Sequence, residues 1–145
     1  MQGFGDMGAS LAISAVGSAI GCGIAGMAAV GAWKKAYAQN KAAAFILIAF
    51  VGAPLTQTIY GLILRNAIQD ASLPPELQIQ QLLTGALAGC AIAMSAVFQG
   101  KCAASAADAL GETGKGFGNY IMALGIIETV ALFTMVFTMT ALPTV

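Results

Sequence analysis

Long apolar stretches alternate with short polar ones along this chain. Charge-free runs cover Met7–Trp33, Ala42–Leu64, Leu77–Gly100 and Gly116–Val145, the last broken only by Glu128. Each meets the roughly 20 residues that cross a bilayer as an α-helix. Carried to helical ends, the pattern predicts transmembrane helices at about 7–33, 42–64, 79–109 and 118–143. The first run does not read as a signal peptide: it has no positive leading region, carries Asp6 instead, and is too long. Lys34, Lys35 and Lys41 fall between the first two spans, and Lys101 and Lys115 flank the connection between the last two. The middle connection holds only Arg65, with Asp70 and Glu76. The positive-inside rule then places the first and third connections in the cytoplasm and both termini outside. Pro74-Pro75 marks the middle connection as a non-helical turn.

The spans differ in kind. In the first, Ser10, Ser14, Gly17, Gly21, Ala25 and Ala28 recur every three or four residues, which is one helix face. Gly85, Gly89, Ala93, Ala96 and Gly100 do the same in the third. Such small-xxx-small faces let backbones approach closely in lipid. Bulk sits in the other two: Phe45, Ile46, Leu47, Ile48 and Phe50, then Leu132, Phe133, Met135, Val136 and Phe137. Small residues on an inner circumference and bulk on an outer one suit a ring. The halves also align without a gap, Leu55–Leu64 over Glu128–Phe137, with Thr56 against Thr129 and Tyr60 against Phe133. The expected fold is therefore an all-α membrane protein of four transmembrane helices. They form two fused parallel-repeat hairpins, 1–72 and 73–145, assembled into an oligomeric ring. Only the second copy has a carboxylate; Leu55 stands at the equivalent place in the first.

Composition narrows the function classes. Hydrophobic residues make up 59% and charged ones 8%, against about 25% charged in soluble domains, so the chain needs an apolar solvent. Net charge is zero, which offers nucleic acid nothing. There is no histidine, the commonest metal ligand and general base. Cys22, Cys90 and Cys102 lack metal or disulfide spacing and read as small packing residues. Gly21-Cys-Gly-Ile-Ala-Gly26 fits a dinucleotide fingerprint in letters but lies inside a span with no strand before it. Gly114-Lys115 resembles the end of a phosphate loop, but Ala109 replaces the first glycine and Gly116 the Ser/Thr. No catalytic site and no organic cofactor are expected in this chain.

What remains is Glu128. A carboxylate mid-span costs about 2.5–3.5 kcal/mol even on the mild insertion scale, and such residues mark ion or proton paths. Gln99 falls at a similar depth, roughly 15 Å from the cytoplasmic helix end at 1.5 Å per residue. Thr56, Gln57 and Tyr60 can share one side of the second helix. Pro54 kinks that helix and frees a carbonyl near Phe50. A carboxylate, two amide oxygens, a hydroxyl and a carbonyl suit a hard cation such as Na⁺; a proton needs only the carboxylate in an apolar pocket.

Pro54-Leu-Thr-Gln-Thr-Ile-Tyr-Gly61, Gln99-Gly-Lys101 and Ile127-Glu-Thr129 together resemble the proteolipid rotor component (the K or c type) of V/A-type rotary ATPases, specifically the sodium-translocating kind. The resemblance covers the whole chain. It implies ion ligands at Thr56, Gln57, Gln99, Glu128 and the Ala53 backbone carbonyl, with Tyr60 hydrogen-bonded to the carboxylate. Proton-type relatives generally keep the glutamate without this polar set. It further implies identical copies in a closed ring in a prokaryotic cell membrane, turning in lipid against a stator subunit whose arginine loosens each passing ion. Central-stalk subunits and an ATP-hydrolysing head lie on other chains. Glu128 with Na⁺ is neutral enough to travel through lipid, and empty it is not, which ties rotation to occupancy. The alternatives are a proton-carrying ring of the same family, a small four-helix proton-coupled exporter, and a purely structural membrane protein. An exporter would want an aromatic-lined cavity, yet Trp33, the one tryptophan, stands at a span end. Lys101, two residues from Gln99, is expected to snorkel to the cytoplasm or to pair with a carboxylate such as Asp108.

Overall fold

The computed structural model describes residues 4–143, and among them helices are the only regular structure. Four helices are long and apolar enough to cross a membrane: α1 (Ala9–Ala38), α2 (Phe45–Asp70), α3 (Pro75–Thr113) and α4 (Phe117–Thr140). They match the four expected spans with shifted ends: α1 and α2 begin at 9 and 45 rather than 7 and 42 and run past Lys34 and Arg65, and α3 runs over 75–113 rather than 79–109. A charge ends an apolar window without ending a helix, since Lys, Arg and Glu are good helix formers. At 1.5 Å per residue α3 is about 58 Å long, nearly twice the ~30 Å hydrocarbon core. The fourth helix stops at Thr140, short of the expected 143, and Ala141–Leu142 turn out of it. Pro143 is the cause, because a residue before proline is disfavoured in the α region. Pro75 also departs from expectation. It does not belong to the turn but opens the 3₁₀ turn Pro75–Leu77 that leads into α3, where its missing N–H costs nothing.

α1 and α3 make the closest pairing. Gly17 lies against the backbone of Ala93, Gly21 against Ala96, and Gly100 against Gly21 itself, so a Cβ at any of the three would strike main chain. Gly89 is less crowded, a Cβ there lying 3.0 Å from the Ser10 Cα. The buried face of α1 comprises Ser10, Ser14, Gly17, Ser18, Gly21, Ala25 and Ala29. The expected Ala28 is only half-buried, and Ser18 and Ala29 complete the stripe. The bulky residues of α2 and α4 divide: Phe45, Ile46, Phe133 and Phe137 point outward, whereas Leu47, Phe50 and Met135 are buried.

Two apolar clusters fill the interior at different heights. Near the lysine-bearing end, Ala25, Ala29, Leu47, Phe50, Ala103, Leu110 and Leu124 pack together, flanked by Trp33, Phe117 and Tyr120. Toward the other end, Leu64, Ile68, Ala88, Ile92, Ala131 and Met135 do so. The segments between them, about 51–63 on α2, 93–102 on α3 and 125–130 on α4, contain Thr56, Gln57, Tyr60, Ser95, Gln99 and Glu128. A polar layer is thus enclosed between two greasy ones.

Side chains also fasten the ends. At the lysine-bearing end, Trp33 Nε1 donates to the Ala44 carbonyl at 2.8 Å, and Lys35 pairs with Glu112 across α1 and α3. At the other end Asp6, 1% exposed, accepts from the backbone N–H groups of Gly8 and Ser10, each at 2.9 Å, and from the Ser10 hydroxyl. It seats against Gly85, which leaves no room for a Cβ.

Candidate functional site

Glu128 stands midway along α4, about 17 Å from either helix end at 1.5 Å per residue. Its side chain is half-buried, and each carboxylate oxygen has a donor. Tyr60 Oη, from α2, donates to Oε1 at 2.8 Å. Gln99 Nε2, from α3, donates to Oε2 at 3.3 Å and to the Leu124 carbonyl at 3.0 Å. Three helices therefore meet on one carboxyl group.

The amides continue the network. Gln57 and Gln99 are fully buried, and Gln57 Nε2 donates to Gln99 Oε1 at 2.8 Å. The other end of the Gln57 amide, Oε1, accepts from the Thr56 hydroxyl at 3.2 Å. That hydroxyl also lies 3.1 Å from the Ala53 carbonyl oxygen. Thr56, half-buried, so gathers a backbone carbonyl, an amide oxygen and its own oxygen within hydrogen-bond distance. All six residues singled out in the sequence, Ala53, Thr56, Gln57, Tyr60, Gln99 and Glu128, are joined in one connected polar layer.

Local sequence explains why α2 can offer a carbonyl here. Pro54 has no N–H for the helical ladder, and α2 is interrupted accordingly: α-helix Ile48–Gly52, a 3₁₀ turn Ala53–Leu55, then α-helix Thr56–Asp70. Proline's effect on the preceding turn directed attention to the carbonyl near Phe50. The carbonyl that meets a site hydroxyl is instead Ala53's, because the tighter turn brings it beneath Thr56. Irregular backbone at membrane depth is tolerated where it lines a site.

One participant escaped the sequence reading. Ser95, 5% exposed, donates to the Ile127 carbonyl at 2.8 Å and accepts from Gln57 Nε2 at 3.5 Å. Its signal was available: a serine one helical turn before Gln99, on the same face. It was hidden among the many small residues of that span. Lys101 does not pair with Asp108. It is exposed, with Nζ 5.0 Å from the centroid of the Phe98 ring, a cation–π arrangement.

Among the described residues no group of three or more Cys, Asp or Glu side chains comes together as a metal cluster. The layer instead has one carboxylate surrounded by neutral oxygens, so its full charge is matched by one monovalent cation or one proton. Residues 82–141, which hold α4 and most of α3, match the family model for the C subunit of ATP synthase. A comparison with curated proteins gives no match. The match and the four apolar helices together mark an integral membrane protein. The family matched over residues 82–141 is a ring-forming, ion-carrying rotor kind whose members do not themselves carry a catalytic site.

Proposed function

From the premise that its second hairpin matches the C subunit of ATP synthase, we propose that this chain is the sodium-carrying rotor subunit of a V/A-type rotary ATPase. Identical copies close into a ring in the cell membrane, with both termini on the non-cytoplasmic side. Each copy takes one Na⁺ at Glu128. The ring turns against a stator subunit whose arginine loosens the ion, and central-stalk subunits link it to an ATP-hydrolysing or ATP-forming head.

The observation that carries the sodium reading is the oxygen set on α2, linked to the carboxylate through the Gln57 and Gln99 amides. A proton needs only Glu128. Thr56 Oγ1, Gln57 Oε1 and the Ala53 carbonyl, drawn together at 3.1–3.2 Å, form an excess of oxygens on the side of Gln57 that its amide hydrogens do not occupy. Ordering such groups costs conformational entropy, and a hard cation offsets it by binding oxygen. Gln99 contributes through Oε1, which accepts from Gln57 and keeps a second lone pair. Tyr60 closes the carboxylate from outside. With Na⁺ bound, Glu128 is neutralised and can face lipid; emptied, it needs a cationic partner, which the stator arginine supplies.

The test is radiolabelled Na⁺ uptake by vesicles holding the complete complex, driven by ATP. Uptake is expected to survive a protonophore and to speed up in its presence. Each Na⁺ moved builds a potential costing about 2.3 kcal/mol per charge per 100 mV, and proton leak dissipates it. Uptake abolished by the protonophore, or ATPase activity indifferent to Na⁺ across neutral pH, selects the proton-carrying ring instead.

A further inference from the structure

We infer that Ser95 is a positioning residue for the ion site, acting through Gln57; the inference rests on the sodium reading above. The Ser95 hydroxyl has one proton, and the Ile127 carbonyl takes it at 2.8 Å. Only acceptor capacity is then left on that oxygen. It is directed at Gln57 Nε2, 3.5 Å away, while the same amide nitrogen donates to Gln99 Oε1 at 2.8 Å. Both hydrogens of the Gln57 amide are thereby turned toward α3. The carbonyl end must point the other way, to Thr56 Oγ1 and the Ala53 carbonyl beyond it.

An amide's two ends are nearly equal in shape, so its hydrogen-bond partners decide which end faces a site. At Gln57 those partners are Ser95 and Gln99. If the amide reversed, its NH₂ would face Thr56 and the Ala53 carbonyl, and a donor would stand where a cation needs an oxygen. Ser95 acts on the site through that amide alone, its bond to the Ile127 carbonyl serving to hold the hydroxyl proton away from Gln57. Its neighbourhood leaves room for a conservative change. Ser95 borders an apolar groove between α3 and α4 lined by Met94, Phe98, Ile126 and Val130, which accommodates the methyl of threonine.

The experiment measures Na⁺ protection of Glu128 against a hydrophobic carbodiimide in the purified ring. In Ser95→Ala the Na⁺ concentration giving half-protection should rise about threefold to tenfold, the effect of one modest hydrogen bond. The labelling rate without Na⁺ should stay as in wild type, because Tyr60 and Gln99 still hold the carboxylate. Ser95→Thr should restore protection. The double variant Ser95→Ala, Gln57→Ala should be no worse than Gln57→Ala alone, since Ser95 works through that amide. Should Ser95→Ala fail to assemble, Ser95→Cys, similar in shape with a weaker donor and acceptor, gives the same shift. A wild-type protection curve in Ser95→Ala, or losses that multiply in the double variant, overturns the role of Ser95 and leaves the sodium reading standing. Absence of Na⁺ protection in wild type overturns the sodium reading and this inference with it.

Discussion

Glu128 is satisfied by two neutral donors on two other helices, Tyr60 at 2.8 Å and Gln99 at 3.3 Å. Without them its desolvation would be uncompensated, since a buried charge is tolerated only when hydrogen-bonded or paired. Tyr60→Phe removes one such bond and nothing of the oxygen set on α2. A hydrogen bond to a charged group contributes about 1.5–3 kcal/mol, so Na⁺ affinity should fall by about tenfold or more with the ring intact. Equilibrium binding of radiolabelled Na⁺ to purified rings measures this, and an unchanged affinity would remove Tyr60 from the site. Asp6 provides a contrast on the same chain. It is more deeply buried than Glu128, yet its carboxylate takes two backbone N–H groups and a hydroxyl and packs on Gly85. Mapping the adduct after carbodiimide treatment should therefore find Glu128 modified and Asp6 spared. An adduct on Asp6 alone would mean that the wrong carboxyl group has been assigned the ion.

At the scale of elements, two pairs of helices have separate tasks. α1 and α3 approach through glycine, and in lipid this close van der Waals contact is a main source of association, because the solvent is as apolar as the side chains. α2 and α4 bring most of the chemistry, with α2 broken at Pro54 to turn a carbonyl inward, and α3 adds Gln99 to it. Mutations should separate the two tasks. Gly21→Leu puts a side chain into main chain and Gly89→Leu crowds Ser10 and Ile13; both should abolish the ring band on a native gel. Gly118→Ala, whose Cβ meets nothing within 4 Å, should leave assembly as it is. Gln57→Ala and Gln99→Ala should keep the ring and weaken Na⁺ binding measured on the same preparations. If the glutamine variants lose the ring and the glycine variants keep it, the division of labour between the helix pairs is wrong.

The whole molecule presents exposed apolar surface on all four helices, with Val16, Met27, Leu55, Leu87, Ile126 and Phe137 each more than half exposed. Lipid and neighbouring copies are the two media that such a surface can meet. A ring of many copies is expected, and native mass spectrometry of the detergent-solubilised assembly should give a single high multiple of the chain mass. A dimer mass would favour the four-helix exporter. The sandwich of layers has a further consequence for the complete ring. The polar layer lies between two apolar clusters, so an ion bound there has no aqueous route along the protomer's own interior. On the proposed rotor function, loading and release then fall to the stator, and this couples rotation to transport.

The sequence alone determined the four spans and the small-residue faces of α1 and α3, and it singled out Thr56, Gln57, Tyr60, Gln99 and Glu128. Hydrophobic runs and helical spacing are local properties, and a charge is conspicuous where a bilayer demands its absence. Helix ends were less legible at Lys34 and Arg65, because polarity marks the membrane boundary and not the helix boundary. Only the tertiary structure decided that Leu47, Phe50 and Met135 turn inward while Phe45 and Phe137 face out, since rotation about a helix axis is set by its neighbours. It alone recruited Ser95, assigned the hydrogens of Gln57 to α3, and set Tyr60 on Glu128. Those are contacts between residues 38, 42 and 68 positions apart. No local pattern encodes them; they arise when three helices settle at a common depth, with glycine backbones in contact on one side and two apolar clusters fixing the height.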